Sequence, residues 1–139
     1  RNKMSEKKKT IIASGKRKTA VARASLKPGK GAVRINKRPY NHLSMIRKLM
    51  IEEPIRIAKN ITGFEFDIDI KTKGGGIESQ IEAARLAIAK GLVEFFKDAE
   101  LKKKYLAYDR PLLIADDRQT ETQKPCRSSA RRGKQTSKR

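Results

Sequence analysis

Acidic residues are missing from about a third of this chain. Between Lys7 and Ile51 there are 14 Lys and Arg and no Asp or Glu. There is one cysteine, so no internal disulfide can form, which fits a reducing compartment. There is one histidine, and neither His42 nor Cys126 has a partner at metal-ligand spacing, so no metal site is expected. A Cys–His catalytic pair fails because Cys126 lies in a stretch that cannot build a core. No apolar run approaches the roughly 20 residues of a membrane span. No apolar h-region follows the basic start, so no secretory signal is read. Tryptophan is absent and only 5% of residues are aromatic and scattered, so the aromatic strand stripes that stack single-stranded bases are missing.

Positive charge is what the chain has in abundance. The 139 residues carry 35 Lys and Arg against 15 Asp and Glu, a formal +20, or about one net positive charge per seven residues. Such a chain repels itself on compaction and calls for an anionic partner. The excess sits in two blocks, residues 7–51 and 118–139, flanking a nearly balanced centre. A lone lysine run is ordinarily a solvated face, but an acid-free stretch of this length with strand patterning inside it points to a polyanion site.

Three segments are expected. Residues 1–9, with Lys7-Lys8-Lys9, read as a flexible basic lead, and Met4 is a candidate start that would make Arg1-Asn2-Lys3 extraneous. Residues 10–117 form a globular domain large enough for a two-layer core. Residues 118–139 contain no Val, Ile, Leu, Met, Phe, Trp or Tyr, and are expected to form an extended basic tail, disordered until it meets a partner.

Within the globular part, Thr10–Ser14 reads as a strand broken by Gly15, ahead of the triplet Lys16-Arg17-Lys18. Val21–Leu26 alternates, Pro28-Gly29-Lys30-Gly31 is a turn, and Val33–Ile35 resumes the alternation, which predicts a hairpin. Arg23 and Arg34 are then expected beside the triplet. Asn41 is a candidate cap for a helix through Leu43, Met45, Ile46, Leu49 and Met50, with the methionines as packing residues and Pro54 ending or kinking the helix. Phe64–Lys71 alternates as a strand with one dry face, and Glu65, Asp67 and Asp69 line its wet face. Ile77, Ile81, Ala84, Ile88, Leu92 and Phe95 fall at helical spacing, and Asp98 can cap a last short helix through Leu101 and Tyr105 before Pro111. Three strands, a helix, a strand, a long helix and a short one make an α+β two-layer sandwich.

No reaction centre emerges. Gly74-Gly75-Gly76 could present backbone N–H groups to a phosphate, but reads better as a tight strand-to-helix connection. Gly15-Lys16-Arg17-Lys18-Thr19 is not a nucleotide-binding lysine loop, because position 10, where that motif needs glycine, is Thr. No catalytic residue, cofactor or small-molecule substrate is therefore expected. If 6–10 basic side chains met phosphates, affinity would fall roughly 10³–10⁵-fold between 50 and 200 mM salt.

Two motifs then coincide: Gly15-Lys16-Arg17-Lys18-Thr19-Ala20-Val21-Ala22-Arg23, and the run from Gly74-Gly75-Gly76-Ile77-Glu78-Ser79-Gln80 through Ala84-Arg85 to Lys90-Gly91-Leu92. Both resemble the small-subunit ribosomal protein S-nine family. Tyr108–Leu113, Asp117–Glu121 and a basic end in Ser137-Lys138-Arg139 extend the resemblance over essentially residues 10–139, in wording that is archaeal- or eukaryotic-like. The resemblance implies a three-strand, helix, strand, helix sandwich like the second domain of the S-five ribosomal protein. Its crossover would be left-handed, against the usual right-handed rule.

The resemblance also implies a role as a structural constituent of the cytoplasmic ribosome, in the head of the small subunit, contacting its ribosomal RNA and neighbouring head proteins. The rRNA-binding residues expected are Lys16, Arg17, Lys18, Arg23, Lys30, Arg34, Lys37 and Arg38 in the body, with Arg118, Arg127, Arg131, Arg132 and Lys134 in the tail. Lys138 and Arg139 are expected against the backbone of peptidyl-site tRNA, and the aromatic that many relatives carry near this end is absent from 135–139. Two rivals remain: a small-molecule kinase, whose superfamily shares the sandwich topology but which needs a general base and second lobe not seen here, and a DNA-compacting protein, since +20 suits any polyanion.

Overall fold

The structure is a computed structural model that describes residues 10–63, 66–134 and 136–137. Its elements in chain order are strands β1 (Ile11–Arg17), β2 (Ala20–Pro28), β3 (Val33–Ile35) and β4 (Arg38–Pro39), helix α1 (Met45–Thr62), strand β5 (Phe66–Lys73), and helices α2 (Ile77–Phe96) and α3 (Ala99–Tyr108). Single 3-10 turns occupy Tyr40–His42 and Arg110–Leu112. The class is α+β: one five-stranded sheet in the order β1-β2-β5-β3-β4, with the helices on one face.

Strict alternation builds that sheet. Ile11 and Ala13 of β1, Ala20, Ala22, Ala24 and Leu26 of β2, Val33 of β3, and Phe66, Ile68 and Ile70 of β5 are all buried on the helix side. Against them lie Ile51, Ile55 and Ala58 of α1 and Ile81, Ala84, Ile88 and Leu92 of α2, with Leu101, Tyr105 and Leu112 closing the cluster. The small residues have a purpose. A Cβ on Gly15 would overlap the carbonyl oxygen of Ala83 and lie 2.7 Å from the Ala87 nitrogen, so α2 rests almost backbone-to-backbone on β1.

Several sequence expectations change. β1 does not break at Gly15; it continues to Arg17, because glycine there serves the approach of α2 rather than a turn. The hairpin joins β1 to β2, with Arg17 opposite Ala20. β2 and β3 are not partners: β5 inserts between them, antiparallel to β2 and parallel to β3. Arg34 therefore lies opposite Asp69, away from the triplet. A further pair, β3–β4, turns through Asn36 and Lys37, both at positive φ.

Ser44, not Asn41, precedes the first helix, since Tyr40–His42 is a separate 3-10 turn. That helix does not end at Pro54 but continues to Thr62, because Ile51, Pro54, Ile55 and Ala58 are all buried and the Tyr105 hydroxyl donates to the Pro54 carbonyl at 2.6 Å. Burial pushes the Tyr105 hydroxyl pKa well up. Met45 is 76% exposed rather than packed, whereas Met50 is half-buried against the core. Asp98 caps α3 as expected, accepting from the Glu100 N–H at 2.9 Å. Gly74 and Gly75 both take positive φ and turn tightly against Thr19 and Ala20, the connection that the sequence favours over a phosphate loop. The expected lead 1–9 and the strand start at 64–65 lie outside the described residues.

Candidate nucleic-acid interface

With the helices all on one side, the other face of the sheet is open among the described residues, and alternation sends its second set of side chains there. Cross-strand register arranges them in rows. Lys16, Val21 and Lys73 form one row, Ser14, Arg23 and Lys71 the next, and Ile12, Ser25, Asp69 and Arg34 a third. Lys27 follows along β2. Six cations thus face solvent, with Asp69 among them and Asp67 opposite Lys27. A depression of about 600 Å³ lies where Val21, Arg23, Lys71 and Lys73 meet.

Asp67 shares the parity of Asp69 but serves the backbone. Its Oδ1 accepts from the N–H groups of Lys30, Gly31 and Ala32 at 2.9, 3.1 and 2.9 Å, tying the β2–β3 connection to β5. Gly29 beside it leaves no room for a Cβ. The Ala32 N–H first, with those of Lys30 and Gly31, holds the carboxyl below the usual carboxylate range. Because the folded pKa is depressed, the stabilisation is complete above the unfolded value near 3.9 and is lost as pH falls through the folded value. Asp67→Asn should lower the melting temperature at pH 7, and the difference from the parent should shrink steadily as the scans move toward pH 2; a constant difference would show that the charge is immaterial.

Of the residues expected at phosphates, Lys16, Arg23 and Arg34 sit on the open face and Lys18 in the β1–β2 turn beside it. Lys30 lies in the loop that Asp67 holds, and Lys37 and Arg38 are exposed at the β4 edge. Arg17 is set apart. It shares parity with Ile11 and Ala13 and points to the helix side, where its side chain is 16% exposed and its Nε meets Glu82 at 2.6 Å. Lys27, Lys71 and Lys73 belong to the face and were not among the expected residues. The signal was available for the last two, since continuing the alternation of β5 past Lys71 to the glycines gives Lys73 the same parity.

The tail has no helix or strand after Leu112 among the described residues. Arg118 grips Asp116, Arg131 pairs with Glu121, and Arg132 donates to the Ser128 Oγ at 2.7 Å. Arg127 is half-exposed and Lys134 exposed. Lys138 and Arg139 lie outside the described residues.

A narrower cleft of about 220 Å³ lies between β1, α2 and residues 109–118. Arg85 pairs there with Glu53 at 2.6 Å and Asp109 at 3.1 Å. Arg17, Arg85 and Arg118 each pair with a carboxylate of the cleft, which is the chemistry of a joint between elements, although the buried Arg85 Nε has no hydrogen-bond partner among the described residues. Among the described residues no cluster of His, Cys, Asp and Glu could hold a metal ion, and no helix is long and apolar enough to cross a membrane.

Comparison with known proteins agrees with the motifs. The family Ribosomal protein S9/S16 matches residues 15–139. The Small ribosomal subunit protein uS9 of Methanococcus maripaludis strain C5 is 46% identical over 122 residues, which cover 87% of this chain and 90% of that protein. Its counterparts in strains C7 and S2 are 46% and 45% identical with the same coverage.

Proposed function

This chain belongs to the Ribosomal protein S9/S16 family, and on that premise we propose that it is a structural constituent of the small ribosomal subunit, holding rRNA of the head with its open sheet face and tail. As a ribosomal protein it acts in translation, in the cytoplasm, in a structural rather than a catalytic capacity. The observation that carries the RNA-binding reading is the uncovered sheet face with Lys16, Arg23, Lys27, Arg34, Lys71 and Lys73 on it. A cationic sheet face without aromatic stacking platforms among the described residues suits phosphate backbone and shape rather than base edges.

The tail extends that role. Its 22 residues reach roughly 70 Å when extended, and its small and basic side chains suit RNA crevices, where Arg127, Arg131, Arg132 and Lys134 neutralise phosphates. It orders on that partner and is disordered when free. Lys138 and Arg139 then stabilise peptidyl-site tRNA by charge, without reading its sequence. The remaining partners are neighbouring proteins of the head, and the crossover from β3 through α1 to β5 takes the left hand that the resemblance implies.

Sedimentation tests the whole reading: the chain should travel with small ribosomal subunits, and a preference for duplex DNA would overturn it. For the tail, removing Lys138 and Arg139 should speed tRNA dissociation from the peptidyl site for every tRNA; unchanged rates would refute the contact.

A further inference from the structure

Arg17 is surrounded by groups that all belong to the protein. Its Nε donates to Glu82 of α2 at 2.6 Å, its Nη2 lies 3.5 Å from the Asp116 carboxylate, and its Nη1 donates to the carbonyl of Arg118 at 3.3 Å. Asp116 is gripped from the other side, its two oxygens receiving the Arg118 Nε and Nη2 and one of them the Arg118 N–H. The Arg118 side chain is 83% exposed, whereas that of Asp116 is 23% exposed. Residues 116–118 are therefore bound to β1 through Arg17, itself held by Glu82 of α2, at the point where the body ends. Among the described residues beyond them, the tail's ion pair and side-chain hydrogen bonds are to itself, Arg131 to Glu121 and Arg132 to Ser128.

We propose that Arg17 is a positioning residue, a clasp that fixes where and in which direction the basic tail leaves the body, and not one of the phosphate ligands that its neighbours Lys16 and Lys18 supply. This rests on the reading of the tail as the part that reaches tRNA. Geometry favours arginine at this position. Three groups on two segments are met at once by a planar fork with donors at Nε, Nη1 and Nη2, which a lysine ammonium cannot match. The physical consequence is leverage. A chain of about 20 residues clasped at its root sweeps a far smaller volume than one hinged freely there, so its end is presented near its target at higher effective concentration.

A distance measurement tests this. In a Cys126→Ser background, spin labels at Gln119→Cys, just past the clasp, and Glu94→Cys, exposed on α2 twelve residues or about 18 Å from Glu82, report the exit direction in the full-length protein. The parent should give one narrow distance peak. Arg17→Met and Asp116→Asn should each lose that peak, and Arg17→Lys should not restore it. Binding of each variant to a transcript of the small-subunit rRNA head domain should stay within about twofold, since no phosphate contact of the open face is removed. Asp116→Asn reads the same clasp from its more exposed partner should Arg17→Met fold poorly. An unchanged peak in both variants would overturn the proposal, as would an intact peak with an rRNA affinity loss like that of a face lysine. A parent chain that bound no rRNA would instead sink the ribosomal reading and leave the distance result standing.

Discussion

Arg23→Ala, Lys71→Ala and Lys73→Ala introduced together should weaken binding to small-subunit rRNA by on the order of 10²–10³-fold at about 0.15 M salt, and should lower the slope of log affinity against log salt by about 2–3. The three side chains occupy adjacent rows of one open face, Arg23 directly opposite Lys71 and Val21 opposite Lys73. Each phosphate they neutralise releases condensed counterions, and losing three contacts removes three such releases. Among the described residues none of the three has a hydrogen-bond or ion-pair partner to orphan: they are exposed, and the residues beneath them, Ala22, Ala24 and Ile70, are unaltered. The melting temperature should therefore stay the same or rise, since like charges on one surface repel. Filter binding across a salt series separates the possibilities. An affinity loss with an unchanged slope would mean that the face touches RNA through something other than phosphate, and no loss would remove this face from the interface.

The second large effect concerns the body itself. Gly15→Ala adds one methyl group where the backbone of α2 already lies, at the Ala83 carbonyl and the Ala87 nitrogen. Both obstacles are main-chain atoms of a helix, which cannot rotate aside as a side chain end would. Either α2 lifts from β1, opening the layer where Ala13 and Leu26 lie against Gly91, or β1 is pushed from its ladder. The expected cost is about 3 kcal/mol or more, and roughly 10–20 °C in melting temperature for a domain of this size. Gly76→Ala is the control: the N-cap of α2 has a β-region φ of −92° and nothing within 4 Å of its Cβ, so it should cost no more than about 1 kcal/mol, the margin by which alanine caps a helix less well than glycine. Thermal unfolding followed by circular dichroism decides it. Similar melting points for the two variants would show that α2 is not in close contact with β1.

Much of the fold was legible because burial in a two-layer protein leaves a periodic trace. The alternation of Val21–Leu26 and of 66–71, the helical spacing of Ile81, Ala84, Ile88 and Leu92, and the Asp98 cap are local properties, and each reappears in the structure. At Pro54 the same local logic allows an end that the structure does not show: proline weakens a helix by about 3 kcal/mol in isolation, but burial of Ile51, Ile55 and Ala58 on either side of it, with Tyr105 on its carbonyl, outweighs that cost and the helix continues. Gly15 misled in the opposite way. Glycine ordinarily interrupts a strand, and treating it so hid the parity that sends Arg17 inward with Ile11 and Ala13. The interface was readable as a charge distribution, but not as a surface, because Lys71 comes to lie opposite Arg23 only through a register set 48 positions apart in the chain.

Composition and periodicity, which act on each residue and its near neighbours, determined by themselves that this protein is a cationic α+β sandwich trailing a coreless tail. The tertiary structure alone decided which strands are neighbours, which arginine faces solvent and which is locked against Glu82 and Asp116. The reason is physical: a strand's dry face is satisfied equally well beside any partner of the right pattern. The choice among partners is made by the close approach of α2 at Gly15, by Asp67 gathering the 30–32 backbone, and by charges from distant segments meeting in one cleft.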